Sequence, residues 1–464
     1  MTTTRRTFLK RASFAALAAG IGGPLLSACG GSGSTGAGAT SGAALSAPSA
    51  GAGQLNMRIW GAFPDFVRSQ TEAFTKAYGT TVDLGVVAGD YPAIIQNQLR
   101  QKQQLDLIYS LGHLPKAWRQ AGWIHDFDRH WAKDDAMGEM LPVVRDALTI
   151  DGRLVGLPYF AFVNGALMGN KQVLATAGLD SWPTTYDELY AQVRQVKRSG
   201  ASDTPYLPSF WSAPWYGIPF GFVQEAMNRG MPLFGKGGQP EFDESSGGVV
   251  DMLSQWRDLY SENLVPKGVL TFQESDWIET FAAGGIAYSP QLQYDLRTFN
   301  DPAKSKAPGQ FVAVPQQGQN WGMLHMGIYL IGNRGQSDEE LAQAYSLAEY
   351  FGYRDRKSGE FVVPTGWASE NNLTQGYAEV NNSPQVEAAV REWLPDADEQ
   401  WPILKDYMAN PQYAKNLYHT SWALEWMSHA SRELPQAVNG DADVKTVVRS
   451  LREKAEKLIQ EYGE

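Results

Sequence analysis

The chain has 464 residues, of which 43% are hydrophobic and 19% charged, and its formal charge is −11. That length exceeds what one hydrophobic core organises, so two domains are expected. The acidic balance argues against nucleic acid and against general adhesion to anionic lipid, and a single cysteine, Cys29, excludes an internal disulfide and any CxxC metal or redox site.

At the N-terminus, Arg5-Arg6 and Thr7-Phe8-Leu9-Lys10 precede an apolar, Ala- and Gly-rich run. This order reads as a twin-arginine (Tat) export signal. Leu26-Ser27-Ala28-Cys29 resembles a lipobox, which makes 1–28 a cleaved signal peptide and Cys29 the lipidation site. The run from Ala12 to Ala28 is shorter than the ~20 residues of a spanning helix. The reading places the remaining chain in the cell envelope, outside the cytoplasm and lipid-anchored to the membrane. Residues 29–53 then read as a tether, since positions 30–53 hold eight Gly, five Ser and no charged residue. A Gly-rich coil of that length spans roughly 25–30 Å. From Cys29 onward the chain has 436 residues, and losing Arg5, Arg6, Lys10 and Arg11 lowers its charge to −15.

The following elements alternate. Leu55–Trp60 reads as a strand, a helix runs from about Asp65 to Tyr78, and 81–87 is a second strand. Tyr91–Gln103 reads as a helix with Ile94, Ile95 and Leu99 on its apolar face, and Leu105–Tyr109 as a third strand. This order predicts an α/β fold with an open, mostly parallel sheet, whose ligands gather where loops leave the carboxyl ends of strands. The loops at 60–65, 88–91 and 110–114 therefore share one rim. Asp151-Gly152-Arg153 reads as a tight turn, followed by an extended stretch from Phe160 to Leu167. Thr185 and Glu188 form a capping box that opens a helix over Tyr186–Arg198, stopped by Gly200. The periodicity of 441–462 predicts a terminal packing helix.

Aromatic residues make up 12% of the chain, with 15 Trp. Several stand beside Gly or Pro in loop-like segments: Trp60, Trp211, Trp215, Trp321 and Trp367. Rings on loops around a rigid scaffold suit the stacking of a flat, partly apolar ligand, although any of them could equally be core.

The stretch from Asp151 to Lys197 resembles the core of family 1 extracellular solute-binding proteins, the maltose-binding-protein-like subunits of ABC importers. The resemblance rests on Gly156 and Pro158, Asn170-Lys171, Ala177-Gly178-Leu179, and Pro183, Thr185 and Glu188-Leu189. Phe281–Ala287 resembles a second landmark of that family. A third is Trp321-Gly322 before the strand Met326–Ile331 and the helix Glu339–Phe351. Gly169 replaces a Tyr that the family often has before Asn-Lys. The resemblance implies a two-lobed periplasmic-binding-protein-like fold (type II), each lobe an open mixed sheet flanked by helices. Lobe one would be 54–161 plus 326–366, and lobe two 162–325 plus 367–464. The chain would cross near Phe160–Asn164, Trp321–Met326 and Pro364–Trp367. The implied role is capture of a sugar or oligosaccharide between the lobes and delivery to an ABC permease, by a monomer without cofactor, metal or catalysis.

Sugar recognition wants aromatic platforms edged by a few polar groups. The candidate platforms are Trp60, Trp211, Trp215, Trp321 and Trp367. The candidate polar contacts are Asp65, Asp90, Ser110, His113, Asn164, Gln291 and Gln293. Ser110 and His113 match a loop that touches ligand in the family, and Gln291 and Gln293 a loop that approaches its cleft. A second reading keeps the role with an organic cation as ligand, held by an aromatic cage. Carboxylates converging on the Trp cluster would favour it, whereas amides matching hydroxyls would favour sugar. A secreted glycosidase would need two carboxylates across one bond, and no such pair is identifiable. An adhesion or scaffold lipoprotein is a further alternative. Asp126-Phe127-Asp128 and Asp396-Ala397-Asp398-Glu399 lack the oxygen spacing and Gly turn of a metal loop and read as solvated faces or helix starts.

Overall fold

The computed structural model describes residues 43–48, 53–213, 216–245, 247–409 and 411–464. The expected signal peptide, Cys29 and Trp215 lie outside the described residues. Where the tether is described, it is held down: the Leu45 amide donates to the Arg129 carbonyl at 2.8 Å, and Arg356 donates to the Pro48 carbonyl at 3.0 Å. Backbone groups that a free coil would give to water are satisfied by the body at 43–48.

Local signals start and stop the elements. Pro64 opens the helix Pro64–Tyr78, and Gly79 ends it at φ 79°. The Asp90 carboxylate accepts from the Ala93 amide at 3.3 Å and caps the helix Tyr91–Arg100. Thr185 accepts from the Glu188 amide at 3.1 Å, as expected. The Glu188 carboxylate, however, returns to the amide and hydroxyl of Thr184 rather than to Thr185. Gly200 ends the helix Tyr186–Ser199 at φ 76°.

Strands β1 (Gln54–Ile59), β2 (Thr81–Val86) and β3 (Leu107–Leu111) are parallel. A separate hairpin of β4 (Thr149–Ile150) and β5 (Arg153–Leu154) turns on Asp151-Gly152, both at positive φ. Strands β6 (Leu157–Asn170), β7 (Tyr288–Leu292), β8 (Phe311–Ala313) and β9 (Met323–Leu330) complete a seven-stranded mixed sheet of order β2-β1-β3-β9-β6-β7, with β8 also on β6.

The 14-residue β6 organises the molecule, because it is buried throughout and changes partners midway. Leu157–Asn164 pairs antiparallel with β9, while Asn164–Asn170 pairs with β7 and β8. The change falls at a register shift around Gly165, whose φ is 77°. A Cβ there would lie 1.8 Å from Gln224 Oε1, so any other residue would need both a strained φ and a displaced Gln224. Gly322, at φ 95° just before β9, stands on the other crossing strand, and its Cβ would lie 2.6 Å from the Asn164 carbonyl. The first two expected crossings, Phe160–Asn164 and Trp321–Met326, fall on strands, on β6 and at the start of β9.

The third does not, because Pro364–Trp367 lies inside the helix Val362–Asn371. Residues beyond it, expected with the second lobe, remain on the first half. The Leu141 amide donates to the Gly376 carbonyl and the Tyr377 hydroxyl to the Gly352 carbonyl, each at 2.8 Å. The helix Ala397–Ala409 packs on the second half. Gln400 accepts from the Ala313 amide at 2.8 Å, and Tyr407 donates to the Val314 carbonyl at 2.8 Å.

Both Asp-rich stretches are ion-paired faces: Asp126 meets Arg119 at 2.8 Å, Asp398 meets Arg391 at 2.7 Å, and Asp396 meets Lys171. Among the described residues, no group of three His, Cys, Asp or Glu is arranged to hold a metal, and no helix is long and apolar enough to cross a membrane.

Candidate ligand-binding site

A cavity of about 490 Å³ sits at the crossing strands. The first half contributes Trp60, Ala62 and Phe63 from the loop after β1, and Gly89 and Asp90 from the loop after β2. This is the rim where carboxyl ends of parallel strands gather ligands. The crossing strands add Tyr159, Phe160 and Phe162 from β6 and His325 from β9. The second half adds Trp211, Ala213, Tyr216, Glu274, Leu292 and Tyr294.

The rings form a contiguous arc. Trp60 lies 5.7 Å from Tyr159, Tyr159 4.8 Å from Phe160, and Phe160 5.6 Å from His325. His325 then lies 5.2 Å from Tyr216, and Tyr216 5.0 Å from Trp211. Strict alternation along β6 would turn Tyr159 and Phe160 to opposite faces. A bulge between Pro158 and Phe160 breaks that alternation, and both rings reach the cavity. Gly327 on β9 leaves them room: a Cβ there would lie 2.6 Å from Phe160 and 2.7 Å from Tyr159.

Charge in the cavity is one-sided. Asp90 and Glu274 line it, and no Lys or Arg does so among the described residues. Burial pushes the Glu274 carboxyl up to about 7. Burial first, and then the charge of Glu274, raises the neighbouring Asp295 carboxyl well above its ordinary value. Burial also holds His325 down to about 3 and His113 to about 4, so both imidazoles are neutral at physiological pH.

Of the residues singled out in the sequence, Trp60, Asp90 and Trp211 line this cavity. Asn164 reaches it indirectly, donating to the Tyr216 hydroxyl at 2.6 Å. Trp367 stands one layer behind, its ring 4.9 Å from Tyr159 and its indole N–H donating to Tyr329 at 3.2 Å. His113 is buried beside Tyr418 at 5.8 Å. The others are not brought to the cavity wall. Asp65 is exposed in the first turn of its helix. Ser110 is enclosed within β3 and donates to the Leu111 carbonyl at 3.2 Å. Gln291 lies in β7, donating to Ser289 at 2.7 Å, and Gln293 lines a different cavity of about 450 Å³ beside Trp401. Trp321 is core, 5.0 Å from Tyr186. The sequence reading missed Tyr216, Glu274, Tyr294 and the rings of the crossing strands. Phe160 and Phe162 carried a signal, being two apart in a segment expected to cross between lobes.

The family model for bacterial extracellular solute-binding proteins matches residues 61–415, most of the chain. The chain belongs to this family. Solved structures agree on the fold of this solute-binding protein. Maltose-bound MalE3 of T. maritima is 18% identical, with a TM-score of 0.71 over 88% of this chain and 100% of that one. A solute-binding protein of Agrobacterium vitis with bound D-mannitol is 17% identical, with a TM-score of 0.68 over 89% and 99%. The cyclic α-maltosyl-1,6-maltose binding protein of Arthrobacter globiformis is 15% identical, with a TM-score of 0.67 over 88% and 100%. The fold is thus the α/β, two-lobed periplasmic-binding-protein-like one, and the cavity lies where strands pass between its two halves.

Proposed function

We propose that this solute-binding protein captures a carbohydrate or polyol in the cavity at the crossing strands and delivers it to an ABC permease without altering it. The observation that carries the reading is the aromatic arc from Trp60 to Trp211, which joins both halves around one space. A sugar offers a C–H face to such rings and hydroxyls to the polar groups at their edges. The relatives with bound maltose and mannitol support a ligand of this size and kind. Contacts to both halves favour the closed form by differential affinity.

The signal peptide at 1–28 and a lipid on Cys29 complete the proposal, tying the protein to the outer side of a membrane as a monomer. In this reading lobe one comprises 54–161 plus 326 up to the helix Ala397–Ala409, and lobe two comprises 162–325 plus the residues from that helix onward.

Thermal unfolding against a series of sugars and polyols tests the reading. A ligand at a hundredfold excess over Kd adds about 2.7 kcal/mol of stability. At least one member of the series should raise the melting temperature and be recovered intact. A series without any shift, or steady release of a cleavage product, would contradict it.

A further inference from the structure

The charges in the cavity bear on what its ligand carries, and the argument rests on the cavity being the solute site. Glu274 is the first residue of the helix Glu274–Ala282, and it lines the cavity with Trp211, Tyr216 and Tyr294. Among the described residues no hydrogen bond or ion pair holds its carboxylate. Asp295 is adjacent, 3% exposed, with its Oδ2 atom lacking any partner. The charges of both carboxyls act on the Tyr216 and Tyr294 phenols. Lys304 tempers Asp295 only from outside, its side chain 62% exposed and 3.9 Å from Asp301.

A desolvated carboxylate is costly unless paired. A neutral sugar could give this one hydroxyl hydrogen bonds but no counter-charge, and an anion would be repelled by it. A cation completes the set, since aromatic faces attract positive charge through their quadrupoles. The amides Gln291 and Gln293, which could have matched hydroxyls, are turned to other partners.

We infer that the ligand carries a positively charged nitrogen, a protonated amine or a quaternary ammonium, seated among Trp211, Tyr216 and Tyr294 with Glu274 as its counter-ion. An amine-bearing sugar and a simple quaternary ammonium share this chemistry. The raised Glu274 carboxyl accords with a site that lacks its counter-charge until the ligand arrives.

Isothermal titration of the full chain with two matched pairs tests the inference: glucosamine against glucose, and choline against its uncharged isostere 3,3-dimethylbutan-1-ol. The charged member of at least one pair should bind tenfold or more tightly than its twin. Glu274→Gln should reduce that preference below threefold, and Glu274→Asp should retain part of it. Equal or tighter binding of the neutral twin overturns the inference and leaves the solute site standing. So does a charge preference that survives Glu274→Gln in the folded variant. Absence of binding by all four compounds overturns it as well, and the site itself is then judged by the sugar and polyol series.

Discussion

Glu274 shows how one side chain leaves a mark on the whole molecule's stability. In the unfolded chain its carboxyl loses its proton near pH 4.3, whereas burial in the cavity holds the native one up to about 7. Between those values the native state binds more protons, so this group lowers stability as pH rises through the window. His113 and His325 act in the opposite sense, because burial lowers them and their unfolded forms take up protons first; their contribution is lost as pH falls below about 6.5. Melting curves of Glu274→Gln and of the parent isolate the first effect. The variant should gain stability relative to the parent from pH 5 to pH 8, and parallel curves would contradict the assigned burial. Little of this was legible beforehand, because an acidic residue in the first turn reads as a helix-dipole partner. Trp60 and Asp90 were legible because their loops adjoin predicted strands and Gly marks the turns, and Trp211 because it stands in a loop-like segment between Pro208 and Pro214. Ser110 and Gln291 were misplaced for one reason: β3 runs to Leu111 and β7 to Leu292, so residues assigned to loops point into ladders.

At the scale of elements, β6 and β9 carry the account. Alternation and turn chemistry located most of the first half to within a few residues, including the helix Pro64–Tyr78 and the hairpin on Asp151-Gly152. They could not show that β6 extends over Leu157–Asn170, because a strand buried on both faces lacks a period of its own. Nor could they show the bulge at Pro158, which depends on pairing with β9. Two glycines test this part. Gly165→Ala meets Gln224 at 1.8 Å and a positive φ, and should lower stability by about 1–3 kcal/mol in denaturant titrations. Gly327→Ala presses on Phe160 and Tyr159 and should weaken ligand binding more than it lowers the melting temperature. A Gly327 variant with parental affinity would separate those rings from the ligand.

The whole molecule is drawn together by the segment 412–421, which touches both halves. His419 Nε2 lies 3.0 Å from the Ala147 carbonyl, Lys415 pairs with Asp146, and Asn416 donates to the Phe234 carbonyl at 2.9 Å. Gln120 of the first half meets Ser421, which also bonds Glu464 at 2.7 Å. These surface contacts are individually worth little, about 0–1 kcal/mol for an exposed ion pair, but several of them join the two halves through one segment. The double variant Lys415→Ala, His419→Ala should favour the open form, seen as a larger radius of gyration in solution scattering without ligand. An unchanged radius would remove this segment from the hinge energetics. Length and alternation pointed to two domains, but the third crossing depends on which half the helices after Asn371 pack against, and sequence period is silent on that.

Titration calorimetry on Trp60→Ala decides whether solute is captured in this cavity, with a ligand selected on the parent chain and Tyr462→Ala as a remote control. Trp60 lines the cavity from the first half, while Tyr462 is an exposed residue of the terminal helix. Loss of the indole should weaken binding at least tenfold, about 1.4 kcal/mol, and the control should bind as the parent does. A Trp60→Ala protein that stays folded and keeps the parental affinity would contradict capture in this cavity.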